Sequence, residues 1–243
     1  MRTTHGRSFT HDIVQRLGQE IVCGVYGAQN PFPIEAELCK RLGVSRSVLR
    51  EAVKMLTTKG LLNARPRQGT WVEPESNWNL LDPDVLRWFL ERKFSPTLLL
   101  EFTQVRLAIE PMAASMAARL ATDEAKAAII AGLERMKAAE RGEDDPLESD
   151  IAFHVAILRA SGNRFLGQMR DLIDVALRTS IRLTNRRKGV PLASIADHQR
   201  VSDAILAGDA EGASRAMRDL MLEALVLIEQ EAAAAVAGQA AAR

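Results

Sequence analysis

Two histidines and an aspartate in the second half of the chain could bind a metal ion. Asp150 and His154 are four residues apart in a segment with helical periodicity, so both side chains would project from one face of that helix. His198 lies on a later predicted helix, and one carboxylate with two imidazoles is a ligand set for Zn²⁺, Ni²⁺ or Mn²⁺. Spacing alone leaves a second interpretation open, in which the two histidines are partly buried polar residues of a helical core.

A second set of chemically active residues lies near the N-terminus, where cations follow one face of a short helix. Gly43 can supply the positive φ that ends a helix over residues 34–42, and Ser45 can cap the helix that follows. Apolar residues recur at helical spacing on one face of this second helix. Its opposite face carries Arg46, Ser47, Arg50 and Lys54. Cations bind phosphates, and Arg and Ser can also reach base edges in the major groove of DNA.

The residues after this helix predict a hairpin with basic neighbours. Residues 61–65 predict a strand, residues 66–69 a turn that Gly69 closes, and residues 70–72 a second strand. A helix-turn-helix followed by a hairpin is typical of a winged DNA-binding domain, although a small core with solvated charges is the alternative. The predicted DNA contacts are Arg7 on an N-terminal arm, Ser45, Arg46, Ser47 and Arg50 on the helix, and Arg65, Arg67, Gln68, Gly69 and Thr70 on the hairpin.

The length and the charge distribution indicate two parts. The chain has 243 residues, which is long for one small domain. Residues 1–72 hold 11 Lys and Arg against 5 Asp and Glu, whereas the remaining residues hold 21 against 26. A basic front and an acidic rear are typical of a nucleic-acid-binding domain joined to one that does not touch DNA. We therefore predict a DNA-binding domain over residues 1–75, a linker helix over 76–94 and an all-helical domain over 95–243.

The second half of the chain predicts an antiparallel helical bundle, so the expected fold class is mainly α. Its first helix should run from Ser95 to about residue 121, with a kink at Pro111, because proline removes a backbone hydrogen bond. The inner side of this helix is predicted to carry Leu99, Phe102, Val105, Arg106, Ile109 and Met112. The other helices are predicted over about residues 122–141, 145–160, 163–187, 191–207 and 209–235.

The N-terminal motifs resemble those of GntR-type transcription regulators. The matching residues are Pro33, Glu37-Leu38, Gly43-Val44-Ser45-Arg46, Leu49-Arg50-Glu51-Ala52, Gly60-Leu61 and Gln68-Gly69-Thr70. The resemblance implies a winged helix-turn-helix in which Arg46 and Arg50 read or clamp DNA. It also implies that Gly69, at the tip of the hairpin, enters the minor groove.

The second half resembles the all-helical, ligand-binding FCD domain of the FadR branch of that family. The matching residues are Asp150-Ile151-Ala152-Phe153-His154, Ala160-Ser161-Gly162-Asn163, Asp197-His198, and Gly208-Asp209-Ala210 with Ala216-Met217. The resemblance implies that Asp150, His154 and His198 are ligands of a divalent metal. A third histidine is normal in that branch where this chain has Leu220, so the ligand set is incomplete and water or an effector would complete it. Asp219 is adjacent but lies about 100° round the helix.

The same resemblance implies that Arg106 faces the interior and binds the carboxylate of an effector, which a guanidinium can do with two hydrogen bonds. The alternative is a helix-surface salt bridge between Arg106 and Glu110, one turn later. Arg178 and Asn185, on the fourth helix of the bundle, are further candidates for contacting the effector. Residues 78–88 and 105–111 resemble a member of this branch that controls a sugar-acid operon, which implies an effector such as an aldonate.

These expectations favour a repressor that binds double-stranded operator DNA as a homodimer and is released by its effector. The alternative is a metal-dependent enzyme that acts on a small organic acid in the helical domain. No H-E-x-x-H, G-x-S-x-G, P-loop or dinucleotide-binding motif supports that alternative. The sequence has no signal-like N-terminus, no apolar run long enough to span a membrane, and only two cysteines, so we expect a cytoplasmic protein without a membrane partner.

Overall fold

The computed structural model describes residues 9–27, 29–65, 68–92, 96–188 and 194–241. The chain divides into two compact units, residues 1–94 and residues 95–243, which we call the head and the body. The predicted fold class is confirmed, since helices dominate both units and the head is a winged helix-turn-helix. The predicted three-part division at residues 75 and 94 stays a prediction.

The head contains three helices before its hairpin: α1 (Phe9–Val22), α2 (Glu35–Leu42) and α3 (Arg46–Thr58). Gly43 ends α2 at a left-handed φ of 67°, where its N–H donates to the Cys39 carbonyl. The Ser45 hydroxyl then accepts a hydrogen bond from the Val48 N–H at 3.4 Å, which caps α3. The turn predicted from these two residues is therefore present.

The hairpin consists of two antiparallel strands, β1 (Leu62–Arg65) and β2 (Gly69–Val72). Leu62 pairs with Val72 at its base, and Arg65 pairs with Gly69 next to the turn. Gly69 has a φ of 88°, a conformation that side chains rarely adopt. The wing is thus as short as the sequence predicted.

A fourth helix, α4 (Pro83–Arg92), follows a short 3₁₀ turn at Glu75–Asn77 and belongs to the core of the head. Trp88 of α4 is fully buried, and its Nε1 donates to the Gln15 Oε1 at 2.9 Å. A Cβ on Gly18 would lie 2.3 Å from the Trp88 ring, so a glycine in α1 makes room for it. The helix predicted as a linker therefore packs against α1.

The body contains seven helices among the described residues: α5 (Pro96–Leu120), α6 (Asp123–Glu140), α7 (Pro146–Ala160), α8 (Arg164–Gln168), α9 (Arg170–Lys188), α10 (Ile195–Leu206) and α11 (Ala210–Ala241). The long helices α5 and α11 pack along each other, α6 packs on α7, and α10 contacts α11, α6 and α5. Within the described part of the chain, no helix is both long enough and apolar enough to cross a membrane.

Two predicted helix boundaries in the body are wrong. The single helix expected over residues 163–187 is divided into α8 and α9 at Met169, whose N–H bonds the carbonyls of both Phe165 and Leu166. Gly167 weakens the helix just before this break, because glycine is a poor helix former. The helix expected from Pro191 begins at Ile195, where the Ser194 hydroxyl caps it. α5 continues through Pro111, and the kink there stays a prediction.

Candidate functional site

The three predicted metal ligands converge inside the body. Asp150 and His154 lie one turn apart on α7, and His198 reaches them from α10. The Asp150 Oδ1 is 3.3 Å from the His154 Nε2 and 3.4 Å from the His198 Nε2. All three side chains are buried, and their ligand atoms lie within 4.8 Å of one another. We call these three residues the ligand cluster.

The start and the close packing of α7 position the first two members of this cluster. The Asp145 carboxylate caps α7 by accepting the N–H groups of Leu147 and Glu148, both at 2.9 Å, and Pro146 takes the first helical position. On α6, Gly132 lies so close to α7 that a Cβ there would be 2.9 Å from the Phe153 Cα. A glycine therefore allows α6 to press α7 into the interior.

The Nδ1 atom of each imidazole contacts a second partner, and this contact fixes the direction in which Nε2 points. The His198 Nδ1 donates to the Ser194 carbonyl at 2.7 Å, and the His154 Nδ1 lies 2.7 Å from a carboxylate oxygen of Glu110. In the neutral tautomer that is protonated at Nδ1, which is the form that binds a cation, Nε2 of each ring directs a lone pair toward Asp150. A carboxylate or carbonyl behind a histidine is the usual arrangement around a protein-bound metal.

The buried polar atoms of the ligand cluster fit a divalent cation. The Asp150 Oδ1 and the His198 Nε2 are buried without a hydrogen-bond partner. Such orphaned acceptors are costly in a protein interior unless a proton or a cation satisfies them. Two imidazole nitrogens with one carboxylate oxygen suit Zn²⁺, Ni²⁺ or Mn²⁺. Leu220 is partly buried and offers no ligand atom, and Asp219 is exposed, so the cluster supplies three protein ligands.

The charges around the ligand cluster shift three pKa values. Burial alone would raise the pKa of Glu110, but the Arg106 guanidinium and His154 outweigh it and lower that pKa to about 2. Burial likewise opposes the charged form of Asp150, yet the two histidines hold the pKa of this carboxyl well below its usual range. Burial would lower the pKa of His154, whereas the carboxylates of Glu110 and Asp150 raise it to about 9.

Arg106 lies next to this cluster on α5, and its side chain is only 2% exposed. Its Nε donates to the Glu110 Oε1 at 2.5 Å, and its Nη1 donates to the Ser180 hydroxyl at 3.4 Å. Its Nη2 is buried without a hydrogen-bond partner. Arg106 therefore faces the interior, and its pair with Glu110 is buried and not on the helix surface. The predicted effector contact of Arg106 stays a prediction.

The inner face of α5 differs from the predicted one. Val105 and Met112 are exposed, with exposed fractions of 42% and 57%. The face that packs inward instead carries Leu99, Phe102, Thr103, Arg106, Glu110, Ala113, Ala114 and Ala117. The prediction assigned large apolar residues such as Val105 and Met112 to the inner face. The helix instead buries the polar pair Arg106 and Glu110 and the small residues Ala113, Ala114 and Ala117. These small side chains allow α11 to pack closely against α5.

Arg178, a further effector candidate, lies apart from this interior group. Arg178 on α9 is about one-third exposed, and its guanidinium is bound by the carboxylates of Glu148 and Asp174. These two bonds raise the pKa of Arg178 above its ordinary value and occupy the donors that an effector would need. The position of Arg178 therefore does not support the predicted contact. The side chain of Asn185 lies outside the described residues.

On the head, the cationic face of α3 is open to solvent. The side chains of Arg46 and Arg50 are 74% and 70% exposed. Glu35 of α2 holds Arg50 with two hydrogen bonds of 2.7 and 3.2 Å, and its carboxylate is 3.7 Å from the Arg46 Nε. The Arg50 guanidinium lowers the pKa of Glu35. The Ser45 and Ser47 hydroxyls are 2.9 Å apart at the start of the same helix.

The hairpin presents a further set of exposed polar groups. Arg65 is exposed, and its guanidinium carbon is 5.7 Å from the centre of the Trp71 ring, a cation–π contact. Gln68 and Gly69 are exposed at the turn, and Thr70 is half-buried beside them. The predicted contacts Arg7 and Arg67 lie outside the described residues.

Comparison with known proteins identifies the two units. Residues 9–72 match the bacterial regulatory proteins of the gntR family, and residues 101–223 match the FCD domain. The galactonate operon transcriptional repressor of Escherichia coli (strain K12) is 34% identical over 209 residues, which is 85% of this chain and 91% of that protein. The chain belongs to the GntR family. The family predicted from the sequence is thereby confirmed.

The chain is also similar to a second curated protein and to a solved structure. A putative L-lactate dehydrogenase operon regulatory protein of Escherichia coli (strain K12) is 37% identical over 197 residues, covering 76% of this chain and 73% of that protein. The solved structure of Lar, described as controlling the expression of the Listeria monocytogenes agr system, has a TM-score of 0.59 at 15% identity. That likeness covers 93% of this chain and 99% of Lar, and it shows the shared fold.

The protein is thus a transcription regulator of the GntR family, in which proteins bind operator DNA and usually dimerise. The FCD match and the ligand cluster are consistent with metal binding. Sequence reasoning missed Ser180 and placed Glu110 only on the helix surface. The available signal was the spacing of Glu110, which follows Arg106 by four residues and shares its face.

Proposed function

We propose that this GntR regulator is a repressor that a small carboxylate, of the sugar-acid class, releases from its operator. The observation that carries the proposal is the Arg106 Nη2, a charged donor that is buried in the body without a partner. A buried guanidinium donor without an acceptor is costly, and a ligand carboxylate would satisfy it. The guanidinium geometry suits a carboxylate better than a neutral ligand.

The ligand cluster supports the same class of effector. Asp150, His154 and His198 would hold a divalent cation with three protein ligands, which leaves coordination positions for ligand oxygens. When bound, such a cation supplies a Lewis-acid position for a carboxylate or hydroxyl oxygen. A sugar acid carries both groups on neighbouring carbons. The relative that is named a galactonate operon repressor supports an aldonate as the first ligand to test.

On the head, we propose that α3 lies in the major groove. Arg46 and Arg50 would contact phosphates or guanine edges, and Ser45 and Ser47 would contact the backbone at the helix start. The wing would add Arg65, Gln68, Gly69 and Thr70 near the minor groove. Arg7 and Arg67, which lie outside the described residues, remain proposed contacts from the sequence alone.

The repressor is proposed to act as a homodimer on a near-palindromic site. Two copies of α3 would occupy successive major grooves, one helical turn of DNA apart. A carboxylate that binds more tightly to the conformation unable to match this spacing would shift the population away from DNA. Differential affinity for the two conformations is the only means by which an effector can release the operator.

The test is a fluorescence anisotropy titration of DNA from upstream of the protein's own gene. Galactonate and gluconate are compared with galactose, which lacks the carboxylate. The proposal expects salt-sensitive binding that the two acids weaken and that galactose leaves unchanged. The Arg106→Met variant should bind DNA but no longer respond to the acids, whereas Arg215→Met, a matched change of an exposed arginine on α11, should respond normally. Binding that no acid alters, or an Arg106→Met variant that still responds, would refute the proposal.

A further inference from the structure

The carboxylate of Glu110 is shared between the two sites of the body. One oxygen accepts the Arg106 Nε–H at 2.5 Å, and the other lies 2.7 Å from the His154 Nδ1. Glu110 is only 1% exposed, and Arg106 and His154 are 2% and 3% exposed. A single side chain therefore touches both the proposed carboxylate-binding arginine and a member of the ligand cluster.

We propose that Glu110 couples the two sites, so that carboxylate binding at Arg106 and cation binding at the ligand cluster strengthen each other. This inference rests on the proposed function, because it assumes that an acid binds at Arg106. It assigns Glu110 the role of a positioning residue that acts through His154.

The direction of the coupling follows from competition between Glu110 and a ligand carboxylate for the Arg106 guanidinium. The Arg106 guanidinium is paired with one oxygen of Glu110. A ligand carboxylate would take part of that attraction, which leaves Glu110 a stronger acceptor for the His154 Nδ1–H. A stronger bond at Nδ1 makes Nε2 a better metal ligand. Because coupling of equilibria is reciprocal, a bound cation must increase the affinity for the acid by the same factor.

The substitution Glu110→Gln separates the two contacts. An amide has one oxygen and one NH₂ group, so it cannot accept a hydrogen bond at both ends. The amide oxygen should turn toward the Arg106 guanidinium, because leaving a buried charge without a partner destabilises the protein more than losing the hydrogen bond to His154. The NH₂ group then faces the His154 Nδ1, which must become an acceptor and move its proton to Nε2. That tautomer removes one ligand from the cluster.

In this variant we therefore expect the zinc affinity to fall and the galactonate affinity to rise. Zinc affinity, measured by competition with a chelator, should fall about 10- to 100-fold, as is common when the partner behind a metal-bound histidine is lost. Galactonate affinity of the metal-free protein, measured by calorimetry, should rise about tenfold, because Arg106 no longer has a counter-ion inside the body. A purely structural role for Glu110 would lower both affinities together.

The wild-type protein should show the coupling directly. Saturating galactonate should tighten zinc binding by a factor of about 5 to 150, the usual range for coupled sites. Glu110→Gln should reduce this factor severalfold, which leaves only the part that direct coordination of the acid by the cation supplies. The matched control is Glu143→Gln, which breaks an exposed pair with Arg141 and should change neither affinity. An unchanged coupling factor in Glu110→Gln, or parallel loss of both affinities, would overturn the inference while leaving the proposed function intact.

A second variant decides the question if Glu110→Gln does not fold, as judged by circular dichroism. In Arg106→Met, Glu110 is released from the guanidinium permanently, so zinc affinity without galactonate should rise above that of the wild type without galactonate. A zinc affinity equal to or below that of the unliganded wild type would overturn the inference. If the wild-type protein binds zinc but no sugar acid, the proposed function fails, and this inference fails with it.

Discussion

The substitution Gly132→Ala tests whether the close approach of α6 and α7 sets the geometry of the ligand cluster. A Cβ at residue 132 would lie 2.9 Å from the Phe153 Cα and 3.1 Å from the Phe153 backbone nitrogen, whereas ordinary contact begins at 3.4 Å. Backbone atoms cannot rotate away, so the two helices must separate by about 0.5 Å. α7 carries Asp150 and His154, and this movement would change their distances to His198.

The expected change in the free energy of unfolding of Gly132→Ala combines a loss from overpacking with a gain in helix propensity. Overpacking of a core costs about 1–3 kcal/mol, and replacing a glycine inside a helix by alanine returns up to about 1 kcal/mol. A net loss of about 0–2 kcal/mol in the free energy of unfolding remains, with a midpoint of about 1 kcal/mol. Zinc affinity should fall about tenfold, since a functional site tolerates displacements of only about 0.5 Å.

Urea unfolding of the EDTA-treated protein and chelator competition for zinc measure these two effects. The control is Gly167→Ala in α8, where no atom lies within 4 Å of the added Cβ. That variant should be as stable as the wild type or slightly more stable, with unchanged zinc affinity. If Gly132→Ala behaves like this control, the close approach does not position the cluster and the reasoning is wrong.

Three further predictions concern the metal, the DNA contact and the head. Zinc at about 100 times its dissociation constant should stabilise the wild type by about 2.7 kcal/mol in thermal unfolding, and His198→Ala should lose most of this gain. Arg50→Ala should weaken operator binding and lower the slope of log affinity against log salt by about 1 in an anisotropy series. Ser45→Ala should destabilise the head by about 1 kcal/mol in chemical denaturation, because the Val48 N–H loses its cap. Equal zinc stabilisation of His198→Ala, an unchanged salt slope, or an unchanged denaturation midpoint would contradict the respective prediction.

The head could be predicted well because its signals are local. Gly43 ends one helix through its backbone conformation, and the Ser45 side chain caps the next helix. The turn of the hairpin requires a φ of 88° at residue 69, which glycine adopts readily. None of these assignments depends on a distant part of the chain. The exposure of Arg46 and Arg50 follows from helical periodicity, since the apolar residues fix which face is buried.

The interior of the body was harder to predict because burial there does not follow hydrophobicity. An acid at position 110 is normally a surface residue, and only the buried partners Arg106 and His154 explain its place in the core. Helical spacing correctly joined Asp150 to His154, but no local pattern shows that Ser180, from a helix much later in the chain, also lies beside Arg106. Such contacts depend on how α5, α7 and α9 pack, which single-sequence periodicity does not contain.

The two hydrogen bonds between Arg50 and Glu35 should affect how long the protein stays bound to non-operator DNA. Binding to random DNA depends mainly on phosphates, and these must compete with a carboxylate that already makes two hydrogen bonds to the same guanidinium. Encounters with unrelated sequence should therefore be brief, because little is gained by exchanging one anion for another. Residence times on random DNA, followed by stopped-flow dissociation, should lengthen in Glu35→Gln, and a protein that dissociates just as quickly would show that the carboxylate does not govern the search.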